Sequence, residues 1–429
     1  MTPPDGMMSV EEAQERILAH VSILPSVDLP LTEALELVLA EDVYASFDIP
    51  LLANSGMDGY ALRTVDTHGA TPLSPVMLPI VGQVAAGYVA ARSLLPGTAM
   101  RIMTGAPIPL GADTVVPFEE TDELDRRRGL RPASSLTEIG IRTELPKGTN
   151  VRPAGEDVQQ GALVMRQGTQ LRPAHLGVLA SLGLATARVV RRPVVAILST
   201  GDELREPGEP LAPGQIYNSN SYTLATLVLT CGAIPRILPV ARDTVEDLTR
   251  KMASGLDADF FITSAGVSTG EYDLVKDVLT REGSMDFWRV RMRPGRPLAF
   301  GFLRRQDNSL VPHLGLPGNT VATMVTFDQF ARPAIYKMMA KSLAKRPTVA
   351  AVLQEPLMNR DGRRCFVRAI LEKKEGRLFA RVAGSQGSNI LTSMVLANGL
   401  LVVREDQLRV EAGEEVEAQV LEGHEYLLQ

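Results

Sequence analysis

Apolar positions along the chain change their spacing from one region to the next, and each change marks a different kind of structure. Over residues 9–21 apolar side chains recur at helical intervals (Ala13, Ile17, Leu18), and Ser9 precedes Glu12 by the spacing of a capping box, which predicts an amphipathic helix. A second helix is expected over 32–39. From 54 to about 135 the period disappears. Short β-type runs at 76–81, 99–103 and 114–117 are separated by Gly and Pro, which reads as a small all-β domain inserted into something else. Residues 136–192 add turn-rich hairpins and a helix near 173–182.

From 193 onward the pattern becomes strand, loop, helix. Apolar runs at 194–198, 234–240, 260–263 and 311–316 alternate with helical segments at 221–229, 245–253, from 271, and from about 320 to 340; Asp243 or Thr244 would cap the second of these. Fully apolar strands alternating with helices predict a parallel sheet covered on both faces. After 341 short strands return at 349–353, 366–371, 378–382 and 400–403, a final all-β domain.

Length and composition narrow the function classes. At 429 residues several domains are expected, and a net charge of -6 gives no nucleic-acid surface; the basic run Arg126-Arg127-Arg128 reads as a solvated loop. Two distant cysteines, Cys231 and Cys365, exclude a disulfide framework or a zinc cluster, and the five histidines have no ligand spacing. A metal would therefore be held by oxygen, as magnesium is. No apolar run is long enough for a membrane span and no leader is evident, so a cytoplasmic location is expected.

In a parallel sheet ligands bind at the carboxyl ends of the strands. Three such ends carry small and polar loops: Ser199-Thr200-Gly201-Asp202-Glu203, the stretch 264–273, and Leu316-Pro317-Gly318-Asn319. Each is either an ordinary strand-to-helix turn or part of an anion site whose N–H groups face a phosphate. Neither the Walker nor the dinucleotide fingerprint is present. Asp202, Glu203 and Asp273 stand at the same edge. Asp58 in “NSGMDGYALR” and Asp157 in “RPAGEDV” also lie among glycines. Acids beside an anion repel it unless a cation such as magnesium intervenes. In “VRMRPGRPLAF”, Arg293 and Arg296 flank a Pro-Gly turn, forming either a solvated hairpin or a clamp for a tetrahedral oxyanion. “RIMTGAPIPLGADTVVPFEE” is either a tight corner or a place where backbone approaches a ligand. No Ser-His-Asp constellation appears.

These motifs, with “GQIYNSNSYTL”, “TSAGVSTGEYD” and “LGLPGNT”, resemble in order and nearly end to end the molybdopterin molybdotransferase family, the MoeA type, which includes the C-terminal domain of gephyrin. The resemblance implies an α/β multidomain fold with four parts. They are an elongated N-terminal domain (1–53 and 136–190), an inserted β-domain (54–135), a three-layer molybdopterin-binding α/β domain (191–344) and a C-terminal β-domain (345–429). It implies a homodimer with the cleft shared between the α/β domain of one subunit and the inserted domain of the other. The implied reaction converts adenylylated molybdopterin and molybdate, with Mg2+, to molybdenum cofactor and AMP; the adenylyltransferase that supplies the substrate is a further candidate partner. By motif match Asp58, Asp157, Glu203 and Asp273 are catalytic, Glu203 and Asp273 near the metal. Thr104, Ser199, Ser264, Arg293, Arg296, Pro317, Arg368 and Ser388 bind substrate, the last of these with Arg368 at the oxyanion. Thr104 would then reach the ligand from a rigid rim. Arg293 and Arg296 replace the family's usual lysines, Ala265 a usual glycine and Thr320 a usual proline. Two other readings are the adenylyltransferase itself, against which the additional β-domains count, and a scaffold, against which the intact acids and arginines count.

Overall fold

The computed structural model describes residues 6–127, 136–265, 274–342 and 346–428, with the side chains of Arg127 and residues 274–276 left aside. The chain forms two compact units, one of residues 30–35 and 41–187, the other of 1–29, 36–40 and 188–429.

The first unit contains a five-stranded sheet. Strands β1 (Gly59–Leu62), β2 (Val76–Val84), β3 (Ala99–Ile102), β4 (Thr114–Pro117) and β5 (Glu138–Ile141) lie in the order β4-β1-β3-β2-β5. Their buried side chains, among them Tyr60, Leu62, Ile102, Val115 and Ile139, form one core. The sheet runs past residue 135, the expected limit of the insert, because β5 pairs along the edge of β2. Glu123, on the short helix Glu123–Arg127, closes this core by accepting from Tyr60 Oη (2.6 Å) and Arg101 Nη2 (3.1 Å).

In the second unit α1 (Val10–Ala19) is capped as the Ser9–Glu12 spacing predicts, with Ser9 Oγ accepting from the Glu12 N–H at 3.0 Å. The helix expected over 32–39 does not form. Glu36 sits at φ +64°, a left-handed conformation that ends any α-helical run, and Leu39 instead bridges Val189.

The central sheet is six-stranded. With β6 (Val194–Ser199), β7 (Ile234–Ile237), β8 (Phe260–Ser264), β9 (Gly283–Arg289), β10 (Pro297–Arg304) and β11 (Leu310–Leu316), the order is β7-β6-β8-β11-β10-β9. The first four strands are parallel, as expected. The last two join by antiparallel pairing: β10 runs opposite to both its neighbours, and β9 runs with the first four. The connection from 290 to 296 holds no helix, and a crossover that short can only return antiparallel.

The register matters for function. Ser199 of β6 pairs with Ser264 of β8, and Ser264 pairs with Leu316 of β11, so three of the predicted loops leave the sheet side by side. Because β10 is reversed, its start at Pro297 brings the Arg293–Arg296 turn to the same edge. The segment 320–338 is helical, with a π-helical turn, Phe327–Ala331, just before Pro333. Pro333 has no N–H for the Gln329 carbonyl, and Gln14 of α1 supplies one at 2.8 Å. The C-terminal β-domain is a sheet built around Arg364–Lys374, which pairs at its first residues with Met292–Arg293. That pairing joins the turn of arginines to the domain that carries Arg368.

Candidate functional site

On the inserted β-domain Asp58 and Thr104 are in direct contact. The Thr104 N–H and Oγ1 both donate to Asp58 Oδ1, at 2.7 and 2.9 Å. These bonds, the backbone one first, hold the Asp58 carboxyl below its ordinary range although it is exposed. Gly59 is obligatory beside it, since a Cβ there would stand 2.0 Å from the Val116 carbonyl oxygen. The loop 104–107 is stitched to 54–56 by Gly105 N to Ser55 O and Ser55 N to Ala106 O. Thr104 thus orients Asp58, and its own hydroxyl proton is spent doing so. Asp157 is exposed on the segment following the strand Val151–Arg152, which pairs with Asn54–Ser55. No hydrogen bond joins it to Asp58 or Thr104 among the described residues.

The sheet edge carries Ser199 and Ser264 at the ends of β6 and β8. Both are buried, at 1% and 2% exposure, and their hydroxyls are engaged internally. Ser199 Oγ lies 2.9 Å from Ser221 Oγ, and Ser264 Oγ accepts from Asn220 Nδ2 at 2.8 Å. Asn220 also donates to the Gly318 carbonyl at 2.7 Å, so this side chain, which the sequence reading gave no role, ties two of the edge loops together. Ala265 follows at φ +93°, a conformation that suits glycine and strains an L residue.

The Gly201 N–H donates to Ala241 O at 3.1 Å, which brings loop 199–203 alongside Asp243. The Asp243 carboxyl is raised by burial and then by the charges of Asp202 and Glu203. The sequence offers Asp243 only as a possible helix cap. Thr244 does that work, its Oγ1 accepting from the Asp247 N–H, and leaves the Asp243 carboxylate to the edge. Asp273, with the loop 266–273, lies outside the described residues. Among those described, no three His, Cys, Asp or Glu side chains converge as a metal cage.

Beside this edge, within the same unit, is a cavity of about 450 Å³. Arg293, Arg296, Pro317, Asn319, Arg368 and Ser388 all line it, which gathers five residues the sequence had marked and adds Asn319. Gly295 makes the arginine turn possible: its φ is +101° and a Cβ would stand 2.3 Å from Thr326 Cγ2. Asn319 Nδ2 donates to Ser388 Oγ at 3.1 Å. Arg368 is 1% exposed, with Nε on Ser393 Oγ (3.1 Å) and Nη2 on the Ser385 and Gly387 carbonyls (3.1 and 2.9 Å). It makes no ion pair among the described residues. Burial and the nearby Arg293 push its guanidinium down to about 10. A buried cation without a counter-charge is costly unless an anion joins it.

Comparison with known proteins shows the family. Residues 8–183 match the MoeA N-terminal region (domain I and II), 196–337 a probable molybdopterin binding domain, and 350–421 the MoeA C-terminal region (domain IV). The chain is 39% identical over 418 residues to molybdopterin molybdenumtransferase 2 of Mycobacterium tuberculosis, covering 96% of this chain and 99% of that protein. The chain belongs to the MoeA family. Molybdopterin molybdenumtransferase of Haemophilus influenzae is 36% identical over 419 residues, 96% of this chain and 98% of the relative. Among solved structures, a MoeA molybdopterin biosynthesis protein from Pyrococcus horikoshii aligns with a TM-score of 0.80 at 29% identity, over 97% of this chain and all of that one. The N-terminal region with its β-insert, the α/β domain and the C-terminal β-domain are thus the MoeA architecture.

Proposed function

We propose that this MoeA-family transferase inserts molybdate into adenylylated molybdopterin and releases AMP, in molybdenum cofactor biosynthesis. The observation that carries the reading is Arg368. It is a buried guanidinium without a carboxylate partner among the described residues, and it lines one cavity with Arg293, Arg296 and Ser388. Such a cavity suits a tetrahedral oxyanion, which takes charge-assisted bonds from several fixed forks.

The adjoining sheet edge suits the phosphoanhydride. The N–H groups at the Asp202-Glu203 end of one loop and at Gly318-Asn319 of the other would face it, and Asn220 keeps Ser264 and Gly318 in place. Glu203 is the expected metal ligand there, with Asp273 by motif match, and Asp202 and Asp243 complete an acidic surround. One or two carboxylates plus ligand phosphates is the donor set magnesium favours, so these residues fit it without an all-protein cage. When bound, Mg2+ would neutralise charge between the acids and the phosphates. The chain's own part is to bind, orient and exclude water: the arginines hold the oxyanion, and Asp58 is kept ionised by Thr104.

The assembly this reading calls for is a homodimer in which Asp58 of one subunit serves ligand held by the other. Mixing Asp58→Ala with Glu203→Ala subunits should then restore activity to about half of the sites in heterodimers, as counted from the two combinations possible. No recovery with subunit exchange confirmed would mean that each site is built within one chain. The reading itself is tested by incubating purified protein with adenylylated molybdopterin, molybdate and Mg2+. AMP release that needs both molybdate and Mg2+ is expected; AMP release indifferent to molybdate would overturn it.

A further inference from the structure

The cavity wall holds a fourth guanidinium. Arg363 lines it, and its Nε donates to Asp361 Oδ2 at 3.0 Å, with a second bond from Nη2 to the same oxygen. That oxygen also lies 3.9 Å from Arg293 Nη1. One carboxylate oxygen therefore serves two of the four guanidiniums that face the cavity. The Asp361 carboxyl is held below its ordinary range by the Arg363 hydrogen bond, with the charges of Arg363 and Arg293 contributing. Arg368, deeper in, has no such partner among the described residues, so the cavity's counter-charge is confined to one wall.

We propose that Asp361 is the affinity-setting residue of the oxyanion cavity: a built-in anion that competes with the incoming oxyanion for Arg293 and Arg363. The inference rests on the cavity being the oxyanion site. Its physical logic is that a transferred oxyanion has to leave. Binding that is equally strong before and during transfer tightens the ground state without raising turnover. A carboxylate against two of the four cations weakens the hold by direct competition and by repulsion, and leaves Arg296 and Arg368 to define the position. Asp361 acts through the arginines, so it is a positioning residue and not a catalytic one.

Asp361→Asn isolates the charge, because asparagine keeps an oxygen acceptor for Arg363. Titration calorimetry of the full chain with molybdate alone should show binding tightened about three- to tenfold, the scale for a partly exposed unit charge acting on a dianion. Perrhenate, a singly charged tetrahedral anion, should tighten by only about the square root of that factor, since a change in local potential acts in proportion to ligand charge. A purely structural role would not produce that ratio. Arg363→Gln should move molybdate the other way. Unchanged or weakened molybdate binding in Asp361→Asn, or equal effects on the two anions, would overturn the inference while leaving the oxyanion site standing. Molybdate binding that survives Arg368→Ala and Arg296→Ala intact would overturn the site itself, and this inference with it.

Discussion

Asp58, on the inserted β-domain, is an exposed carboxylate whose Oδ1 takes two bonds from a residue on a neighbouring loop. Arg368, on the C-terminal β-domain, is a guanidinium buried to 1% and held by a serine hydroxyl and two carbonyls. Both sit in glycine-rich surroundings, and both are expected to meet the substrate. The acid is supported by hydrogen bonds that favour its charged form. The cation is placed where its charged form is penalised. Exposed Asp58 is stable by itself and needs only orientation, whereas buried Arg368 lacks a counter-charge among the described residues. Under the proposed function, that difference would separate a group that assists chemistry from a group that binds.

The comparison breaks most easily at Arg368. Arg368→Ala removes a charge-assisted bond to the oxyanion and the anchor of the Ser385–Gly387 carbonyls, so half-saturation for molybdate should rise by about 100-fold, for a loss near ~3 kcal/mol. Arg368→Lys should recover only part, because an ammonium does not reproduce the fork that reaches Ser393 and both carbonyls. Steady-state AMP release with molybdate varied measures both, and an unchanged half-saturation in the alanine variant would mean the buried cation serves only the loop.

A smaller effect is expected at the acid. Thr104→Val removes the hydroxyl bond to Asp58 and leaves the backbone one, so the carboxyl should rise toward its ordinary range. Any acid limb of the pH–rate profile set by Asp58 should then shift to higher pH, with a loss of less than about tenfold near neutrality. Thr104→Ser should restore the profile. An unmoved limb would separate Thr104 from Asp58.

How legible these regions were follows from the same contrast. Asp58 and Thr104 lie on loops framed by adjacent strands of one sheet, and turn chemistry in the sequence marked both. What the sequence does not show is that Thr104 donates twice to Asp58. The arginine cavity depends on tertiary pairing. Arg293 and Arg296 were visible as a turn. Their position beside Pro317, Arg368 and Ser388 needs β10 to run antiparallel and Met292–Arg293 to pair with Arg364–Lys374. Neither is written in a local pattern. Motif match marks Ser199 and Ser264, but their burial and their contacts with Ser221 and Asn220 depend on tertiary packing, which no local pattern shows. Asp243 was hidden beside Thr244, and two adjacent cap candidates at a strand's carboxyl side were the available signal. The lost helix at 32–39 turned on one positive φ at Glu36, which propensity does not foresee.

The smallest effect concerns neither region directly and serves as a control. His313 lies in the central sheet, fully buried, with Nε2 3.0 Å from Thr263 Oγ1, and burial pushes it down to about 3. Its folded value is below its unfolded one, near ~6.5, so the stability it contributes is present above that pH and falls as pH drops from ~6.5 toward 3. His313→Gln should flatten that part of a denaturation-versus-pH curve while leaving molybdate half-saturation alone. A changed half-saturation would mean that the sheet interior, and not only its edge, sets anion binding.

The division of labour is tested most directly by steady-state AMP release with molybdate varied at saturating adenylylated molybdopterin and Mg2+, comparing Arg296→Ala with Glu203→Ala. Arg296→Ala should raise half-saturation for molybdate by about 10- to 100-fold with turnover largely kept, the signature of a lost bond of about 1.5–3 kcal/mol. Glu203→Ala should lower turnover by about 100-fold or more with molybdate half-saturation unchanged, as for a group needed in the transition state. An unchanged molybdate dependence in Arg296→Ala together with a sharply raised one in Glu203→Ala would place the oxyanion among the acids and contradict the account.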